Sequence, residues 1–297
     1  MSAAISEATG RRYGVQRVCD AWDVPRSSFY HHRKRTAQPA PRPRRRGPKP
    51  AISDEALLAA IRADLERSPF TGEGHRKVWA RLRILDGIRV SRKRVLRLMR
   101  EHGLLSPYRH RPAPPNTHPG TLTTDAPNVL WGTDGARAFT VDDGWVWIFS
   151  AIEHWNGECV GIHVAKKGDR FAALEPLAQG LTRLYGALTA EVARGLSLRM
   201  DHGTQYLSDD FQHQLQYWGI TPSFAFVEQP QTNGVAERFN RTLKEQVLHG
   251  RTYRNVEELR AAVTDFIHTY NTQWRLEKLG FLTPVEARQQ SVRPEAA

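Results

Sequence analysis

The chain has 297 residues, with 43 Lys and Arg against 31 Asp and Glu and a formal net charge of +12. Its only cysteines, Cys19 and Cys159, exclude a disulfide framework and a four-cysteine zinc site. No apolar run approaches the roughly 18 residues of a membrane span, and the N-terminus lacks the apolar core of a secretory signal, so we expect a cytoplasmic protein with no membrane partner.

The charge is unevenly distributed. Residues 1–125 contain 26 Lys and Arg against 11 Asp and Glu, and the rest contains 17 against 20, which gives net charges of +15 and −3. A basic region is typical of one that holds nucleic acid. The slightly acidic remainder fits a domain whose site gathers cations. We therefore expect DNA as the partner of the first part.

The first 35 residues predict a small helix-turn-helix-like unit. Val15, Val18 and Trp22 recur at helical spacing, residues 23–25 break the pattern, and a second short helix follows. Two short helices bury little surface alone. A DNA-binding role and a docking arm for another subunit both remain open.

A basic, proline-rich linker over 36–50 leads to a second helical unit over 51–106. In the linker, Arg44, Arg45 and Arg46 are predicted to lie along a DNA groove. In the unit, Ser53 precedes one helix and Ser91 caps a basic one. The predicted phosphate contacts of this last helix are Arg92, Lys93, Arg94 and Arg97, and the alternative is a solvated face on a structural helix. A second proline-rich linker spans 107–125.

Residues 126–290 predict an α/β domain, followed by a tail over 291–297. Asp143-Gly144 and Asn156-Gly157 are hairpin signals between three strand patterns. Helix, strand, helix, short strand and two helices follow. This is the order of a ribonuclease-H-like fold with a mixed five-stranded sheet, here preceded by small all-α helix-turn-helix units.

Three tryptophans in these strands are interpreted as core. Trp131 precedes an acidic position in the first strand. Trp145 and Trp147 alternate along the second strand and therefore share one face. Packing against a helix is the expected role of that pair, and stacking on nucleic acid is the alternative.

Three acids stand in three differently built segments. Asp134 and Asp201 interrupt strand patterns, and Glu237 opens a helical pattern with 35 residues between it and Asp201. Mg²⁺ prefers hard oxygen ligands, and two ions can be held by a few carboxylates and a phosphate. The three acids are the candidate metal ligands.

The surrounding motifs carry a family resemblance. They are DHGTQY at 201–206, Asn233-Gly234, ERFN at 237–240 and TLK at 242–244. Over roughly residues 70–290 the chain resembles the DDE transposase and retroviral integrase superfamily, and most of all the catalytic subunit, the second reading frame, of IS-three family transposases. The resemblance implies that Asp134, Asp201 and Glu237 are catalytic and bind two Mg²⁺ ions, which Mn²⁺ can replace. It also implies DNA contacts by the motif residues Gln205, Tyr206, Asn233 and Arg238.

The helix of Glu237 also carries basic residues. Seven positions of an α-helix return a side chain to within about 20° of its starting direction, so Lys244 lies on the face of Glu237, with Arg241 on the same flank. We interpret these cations as DNA contacts beside the metals. The alternative is an ordinary surface charge pair.

The resemblance implies nicking of DNA at the ends of an insertion sequence, followed by attack of the freed 3′-hydroxyl on a second phosphodiester. It further implies double-stranded DNA partners, the terminal repeats and the target, on a bacterial nucleoid, and a homo-oligomer on DNA. Zipper heptads are missing, so a first-reading-frame partner protein is also expected. The rival functions are a non-catalytic DNA-binding regulator, which needs no acid triad, and a ribonuclease-H-like nuclease.

Overall fold

The computed structural model describes residues 2–37, 51–107, 124–224 and 234–292, which fall into two compact units, Met1–Ile52 and Ser53–Ala297. Most of both predicted linkers lies outside these residues. Among the described helices, none is long and apolar enough to cross a membrane.

The first unit contains two helices, α1 (Gly14–Ala21) and α2 (Arg26–Ala37). The predicted break falls between them, where Asp23 adopts a positive φ of 50°. Cys19 is the buried side chain of α1, whereas Trp22, placed by its spacing on the apolar stripe, is exposed. Both helices are confirmed, and the buried surface is small.

The second unit opens with three helices, α3 (Asp54–Arg67), α4 (His75–Ile84) and α5 (Arg92–Glu101). The predicted caps are present, because the hydroxyl oxygens of Ser53 and Ser91 accept hydrogen bonds from backbone N–H groups in the first turns of α3 and α5. A cluster of buried ion pairs joins α3, α4 and the loop between them. Arg81 donates to Asp64 at 2.7 Å and to Glu73, and all three side chains are buried.

The sheet contains β1 (Leu130–Thr140), β2 (Gly144–Glu153), β3 (Cys159–Ala165), β4 (Ser197–Met200) and β5 (Thr221–Phe224). The spatial order is β3-β2-β1-β4-β5. The first three strands pair antiparallel, β4 runs parallel to β1, and β5 runs parallel to β4. The predicted mixed five-stranded sheet and its hairpins are confirmed.

Helices cover both faces of this sheet. They are α6 (Arg170–Tyr185), α7 (Thr204–Leu207), α8 (Asp209–Trp218), α9 (Gly234–Leu243), α10 (Val256–Gln273) and α11 (Pro284–Val292), and a π-helical turn, Lys244–Leu248, extends α9. One core contains Trp131 with side chains of α6 and α8, and the other contains Phe239 with side chains of α10.

The core interpretation holds for Trp131, which is fully buried, but not for Trp145. Trp147 is partly buried against the α6 side of the sheet, as expected, whereas 58% of Trp145 is exposed. Register explains the difference, because the pairing of β3 with β2 ends at Trp147 opposite Ala165 and Gly168 lies against that ring, whereas Trp145 stands beyond the end of β3.

The three-helix part packs on the sheet domain through the loop between α3 and α4. Phe70 contacts Trp274 edge to face, with ring centroids 4.7 Å apart. The side chain of Gln246 accepts from the backbone N–H of Thr71 at 3.0 Å and donates to its carbonyl oxygen at 2.9 Å. Gln246 lies in the π-helical turn that extends α9, so the loop is bonded to that helix.

Candidate active site

Asp134 lies in the middle of β1, opposite Ser150 on β2. The backbone N–H of Gly135 donates to its Oδ1 at 2.8 Å, and the Asn240 amide donates to its Oδ2 at 2.7 Å. Both carboxylate oxygens of this half-buried side chain are therefore held in defined directions.

Asp201 directly follows β4. In the parallel pairing, Gly132 stands beside Arg199, so the same register continued by two residues places Asp201 beside Asp134. Neighbouring strands are roughly 4.8 Å apart. The exposed carboxylate of Asp201 accepts from the backbone N–H of Gly203 at 2.9 Å, which fixes the turn after the strand.

Glu237 stands in the first turn of α9 with its side chain exposed. Asn240 follows three residues later and is buried against the sheet. Because residues three apart are neighbours on a helix, the contact from Asn240 to Asp134 brings this end of α9 to the first acid.

The charges of the three acids influence one another. Burial raises the pKa of Asp134 above its usual range, and the negative charges of Asp201 and Glu237 raise it further. Hydrogen bonds from Asn240 and Gly135 act in the opposite direction. The charges of the other two predicted acids therefore both act on Asp134.

Asn240 is a site residue that the sequence interpretation missed. Besides its bond to Asp134, its side-chain oxygen lies 3.4 Å from the Ser150 hydroxyl, so it joins β1, β2 and α9. A signal was available in the sequence. Asn240 interrupts the apolar stripe of α9, and a buried polar side chain at such a position requires a partner.

The predicted DNA contacts on α9 are accessible. Arg238, Arg241 and Lys244 are all exposed, and Lys244 begins the π-helical turn that continues the helix of Glu237. Glu237, Arg241 and Lys244 follow one another at spacings of four and three residues, so they form an exposed stripe.

The prediction for Tyr206 is wrong. Its side chain is fully buried between the sheet and α8, where the ring meets Phe211 edge to face at 5.3 Å, and burial raises the pKa of the phenol. It cannot touch DNA from this position. Gln205, its neighbour in α7, is partly exposed and remains a candidate.

Three of the four basic residues predicted on α5 have intramolecular partners. Arg94 and Arg97 both pair with Asp54, at 2.6 Å each, and Arg92 pairs with Glu277 at 3.1 Å. The simple picture of a free basic face is therefore wrong for Arg94 and Arg97, which link α5 to α3. Lys93 is exposed.

Four further predicted DNA contacts lie outside the described residues. They are Asn233 in the segment before α9, and Arg44, Arg45 and Arg46 in the first linker.

Two family models match parts of the chain, an HTH-like domain over residues 53–112 and an integrase core domain over residues 218–284. The transposase for insertion sequence element IS629 of Shigella sonnei is 28% identical over 93% of this chain and 92% of its own length. Transposase InsF for insertion sequence IS3A of Escherichia coli K12 is 24% identical over 89% of each chain. Over nearly its whole length the chain is thus similar to transposases of insertion sequences, and part of it matches an integrase core domain.

Its enzyme class is that of a metal-dependent polynucleotidyl transferase. Among solved structures, the HTLV-2 integrase catalytic core domain in complex with magnesium is 18% identical over 55% of this chain and 95% of that one, with a TM-score of 0.40. The enzyme class rests on the integrase core match and on the curated relatives.

The chemistry of the triad fits a divalent cation. Asp134, Asp201 and Glu237 offer hard carboxylate oxygens, and the repulsion that their charges impose on Asp134 is relieved when a cation lies among them. Within the described ranges, no three His, Cys, Asp or Glu side chains are close enough to hold one ion together. The acids are thus neighbours that must approach one another to share an ion.

Proposed function

We propose that this protein is a DNA transposase that nicks the ends of an insertion sequence and joins the freed 3′-hydroxyl to a second phosphodiester. The observation that carries the proposal is the placement of two acids from different elements near Asp134, one by the register of β4 and the other by the contact of Asn240 on its own helix. One follows a parallel strand and the other lies on a helix, and no local sequence feature requires them to meet. The curated relatives are transposases, which supports the same reaction class.

In this proposal Asp134, Asp201 and Glu237 hold two Mg²⁺ ions, which Mn²⁺ can replace. When bound, such ions supply Lewis-acid stabilisation of the charge that builds up on a phosphate during transfer. The carboxylates act as ligands and form no covalent intermediate with DNA. Asn240 keeps the Asp134 carboxylate turned toward its neighbours and leaves it less easily protonated.

The exposed cations of α9 position the DNA. Arg238, Arg241 and Lys244 are close in sequence to Glu237 and are available to phosphate oxygens, with Gln205 as a polar contact from α7. A phosphate held on this stripe lies beside the acids, and holding the reacting groups in line contributes much of the rate in such transfers.

The three-helix part of the second unit supplies further DNA contacts through Lys93, with Arg44, Arg45 and Arg46 of the linker. Its match to an HTH-like domain supports this role. The proposed DNA partners are the terminal repeats and the target, with the protein acting as a homo-oligomer and with a first-reading-frame protein as a further partner.

The test is a joining assay on duplexes that carry the element end, with Mg²⁺ or Mn²⁺. We expect nicked and strand-transfer products from the wild-type chain. Asp134→Asn, Asp201→Asn and Glu237→Gln keep the shapes of the side chains but remove one charge each, so they should bind DNA and form neither product. A folded wild-type chain that binds the duplex but never joins DNA ends would refute the proposal. Full activity in one variant would remove that residue from the site.

A further inference from the structure

The hairpin of β1 and β2 carries exposed aromatic rings on one side of the sheet. Phe139 and Trp145 stand opposite each other in the antiparallel register and are 55% and 58% exposed. Arg137 lies one pair further along the same face, opposite Trp147. We call Arg137, Phe139 and Trp145 the aromatic face.

The side chains of this face are ordered by ring contacts. Phe139 meets Trp145 edge to face, with centroids 5.6 Å apart. The guanidinium of Arg137 lies 5.0 Å from the Trp145 centroid and 5.4 Å from that of Trp147. The result is a layer of alternating rings and positive charge rather than a random set of exposed apolar groups.

The face lies close to the triad but on the other side of the sheet. Arg137 is three residues and Phe139 five residues beyond Asp134 on β1, which corresponds to about 10 to 17 Å along the strand. Because β4 pairs with β1 only from Leu130 to Gly132, this part of the hairpin extends beyond the end of β4, which Asp201 follows.

The charge of the hairpin favours an anionic partner. The two acids of its turn are already paired, since Asp142 pairs with Arg254 at 3.2 Å and Asp143 pairs with Lys166 at 2.7 Å. Arg137 takes part in no ion pair with any residue in the described part of the chain, and its contacts there are with rings. The aromatic face therefore presents an uncompensated positive charge between two aromatic surfaces.

We propose that the aromatic face binds unpaired nucleotides of the DNA strand next to the cut. The proposal rests on the proposed function, which creates free strand ends beside Asp134. Unpaired bases stack on aromatic side chains regardless of their identity, while a neighbouring cation meets the phosphate. Bases inside a duplex already stack on one another and leave no free ring face, so a blunt duplex does not satisfy this surface.

The experiment measures binding by fluorescence anisotropy with the full chain carrying Asp134→Asn, so that nothing is cut. The probes are labelled oligodeoxythymidylate, a blunt duplex and the same duplex with a mismatched, frayed end. Trp145→Ala should weaken binding of oligodeoxythymidylate and of the frayed duplex about tenfold and leave the blunt duplex unchanged. Trp145→Phe should retain most of the affinity, because a ring remains.

Two further variants sharpen the test. Arg137→Ala should reduce the salt dependence of oligodeoxythymidylate binding by about 0.7 in the slope of log K against log salt. Tyr217→Ala removes a ring from α8 that is 51% exposed, so it controls for the loss of any surface aromatic group and should change nothing. Photocrosslinking of a 5-bromouracil oligonucleotide should label the peptide that contains Trp145.

Unchanged oligodeoxythymidylate binding in folded Trp145→Ala would overturn the proposal. So would a fall in particle mass by light scattering without a change in DNA affinity, because the face would then be a contact between protein subunits. The joining assay tests the other proposal separately. If the chain joins ends but Trp145→Ala does not change the binding of unpaired DNA, only the proposal for the aromatic face is refuted. If this binding depends on Trp145 but no ends are joined, only the proposed transposase reaction is refuted.

Discussion

Replacing Asn240 by Leu tests whether the polar contact behind the triad sets its affinity for metal. The change keeps the size of the side chain but removes the donor that reaches Oδ2 of Asp134 at 2.7 Å. A hydrogen bond to a charged group is worth about 1.5–3 kcal/mol. Without it the pKa of Asp134 rises further, because this bond opposes the effects of burial and of the two nearby acids.

A proton and a metal ion compete for the carboxylate of Asp134, so the energy of the lost hydrogen bond appears as a weaker affinity for the ion. We expect Mn²⁺ binding near neutral pH to weaken about 10- to 100-fold in Asn240→Leu, consistent with the usual effect of losing a contact that orients a metal ligand. Titration calorimetry on the full chain without DNA measures this directly, and DNA binding should stay near the wild-type level.

Asn271→Leu is the matched control. Asn271 is also 5% exposed, but it bonds the backbone of Cys159 on β3 and contacts no acid of the triad. Its loss should lower the free energy of unfolding and leave Mn²⁺ affinity unchanged. If folded Asn240→Leu binds Mn²⁺ as tightly as the wild type while Asp134→Asn does not, the contact from Asn240 has no influence on the metal site and the reasoning fails.

Three other changes probe the stripe on α9, the buried ion cluster and the packing of α6. Lys244→Ala should cleave DNA about 100-fold more slowly in single-turnover assays while its affinity for Mn²⁺ is unchanged, and Lys244→Arg should recover part of the rate. A wild-type rate in Lys244→Ala would make Lys244 an ordinary surface charge. Arg81→Met removes the cation closest to two buried carboxylates, which keep only longer ion pairs to Arg67 and Lys77 at 3.5 Å, and should cost about 3 kcal/mol in urea unfolding, against almost no loss for the exposed Arg62→Met. Gly161→Ala places a methyl group 1.9 Å from a carbonyl oxygen of α6 and should cost about 1–3 kcal/mol or more, whereas Gly74→Ala has free space, so equal stability of these two variants would contradict the packing seen here.

The parts of the fold that follow from local patterns were predictable. Asp143-Gly144 and Asn156-Gly157 mark the two hairpins, and Ser53 and Ser91 cap helices as expected. These features depend on neighbouring residues alone, since turns and caps are satisfied within a few positions. The order of strands and helices along the chain, with three antiparallel strands first, also followed from the sequence patterns.

The errors arise where partners come from distant segments. Arg94 and Arg97 look like a basic helix face until Asp54, forty and forty-three residues earlier, is brought against them. Tyr206 ends a motif that begins with the exposed Asp201 and His202, yet the sheet covers it. Trp145 alternates like a core residue, but its burial depends on how far β3 extends along β2, which the sequence pattern does not encode.

The contact between Thr71 and Gln246 couples the three-helix part of the second unit to the helix α9. Gln246 belongs to the π-helical turn that continues α9, and Glu237 stands nine residues earlier on that continuous rod. A movement of the three-helix part is therefore transmitted to a helix whose other end carries Glu237, a proposed metal ligand. π-Helical turns often mark functional sites, and here such a turn is the place where the three-helix part is hydrogen-bonded to the helix of Glu237.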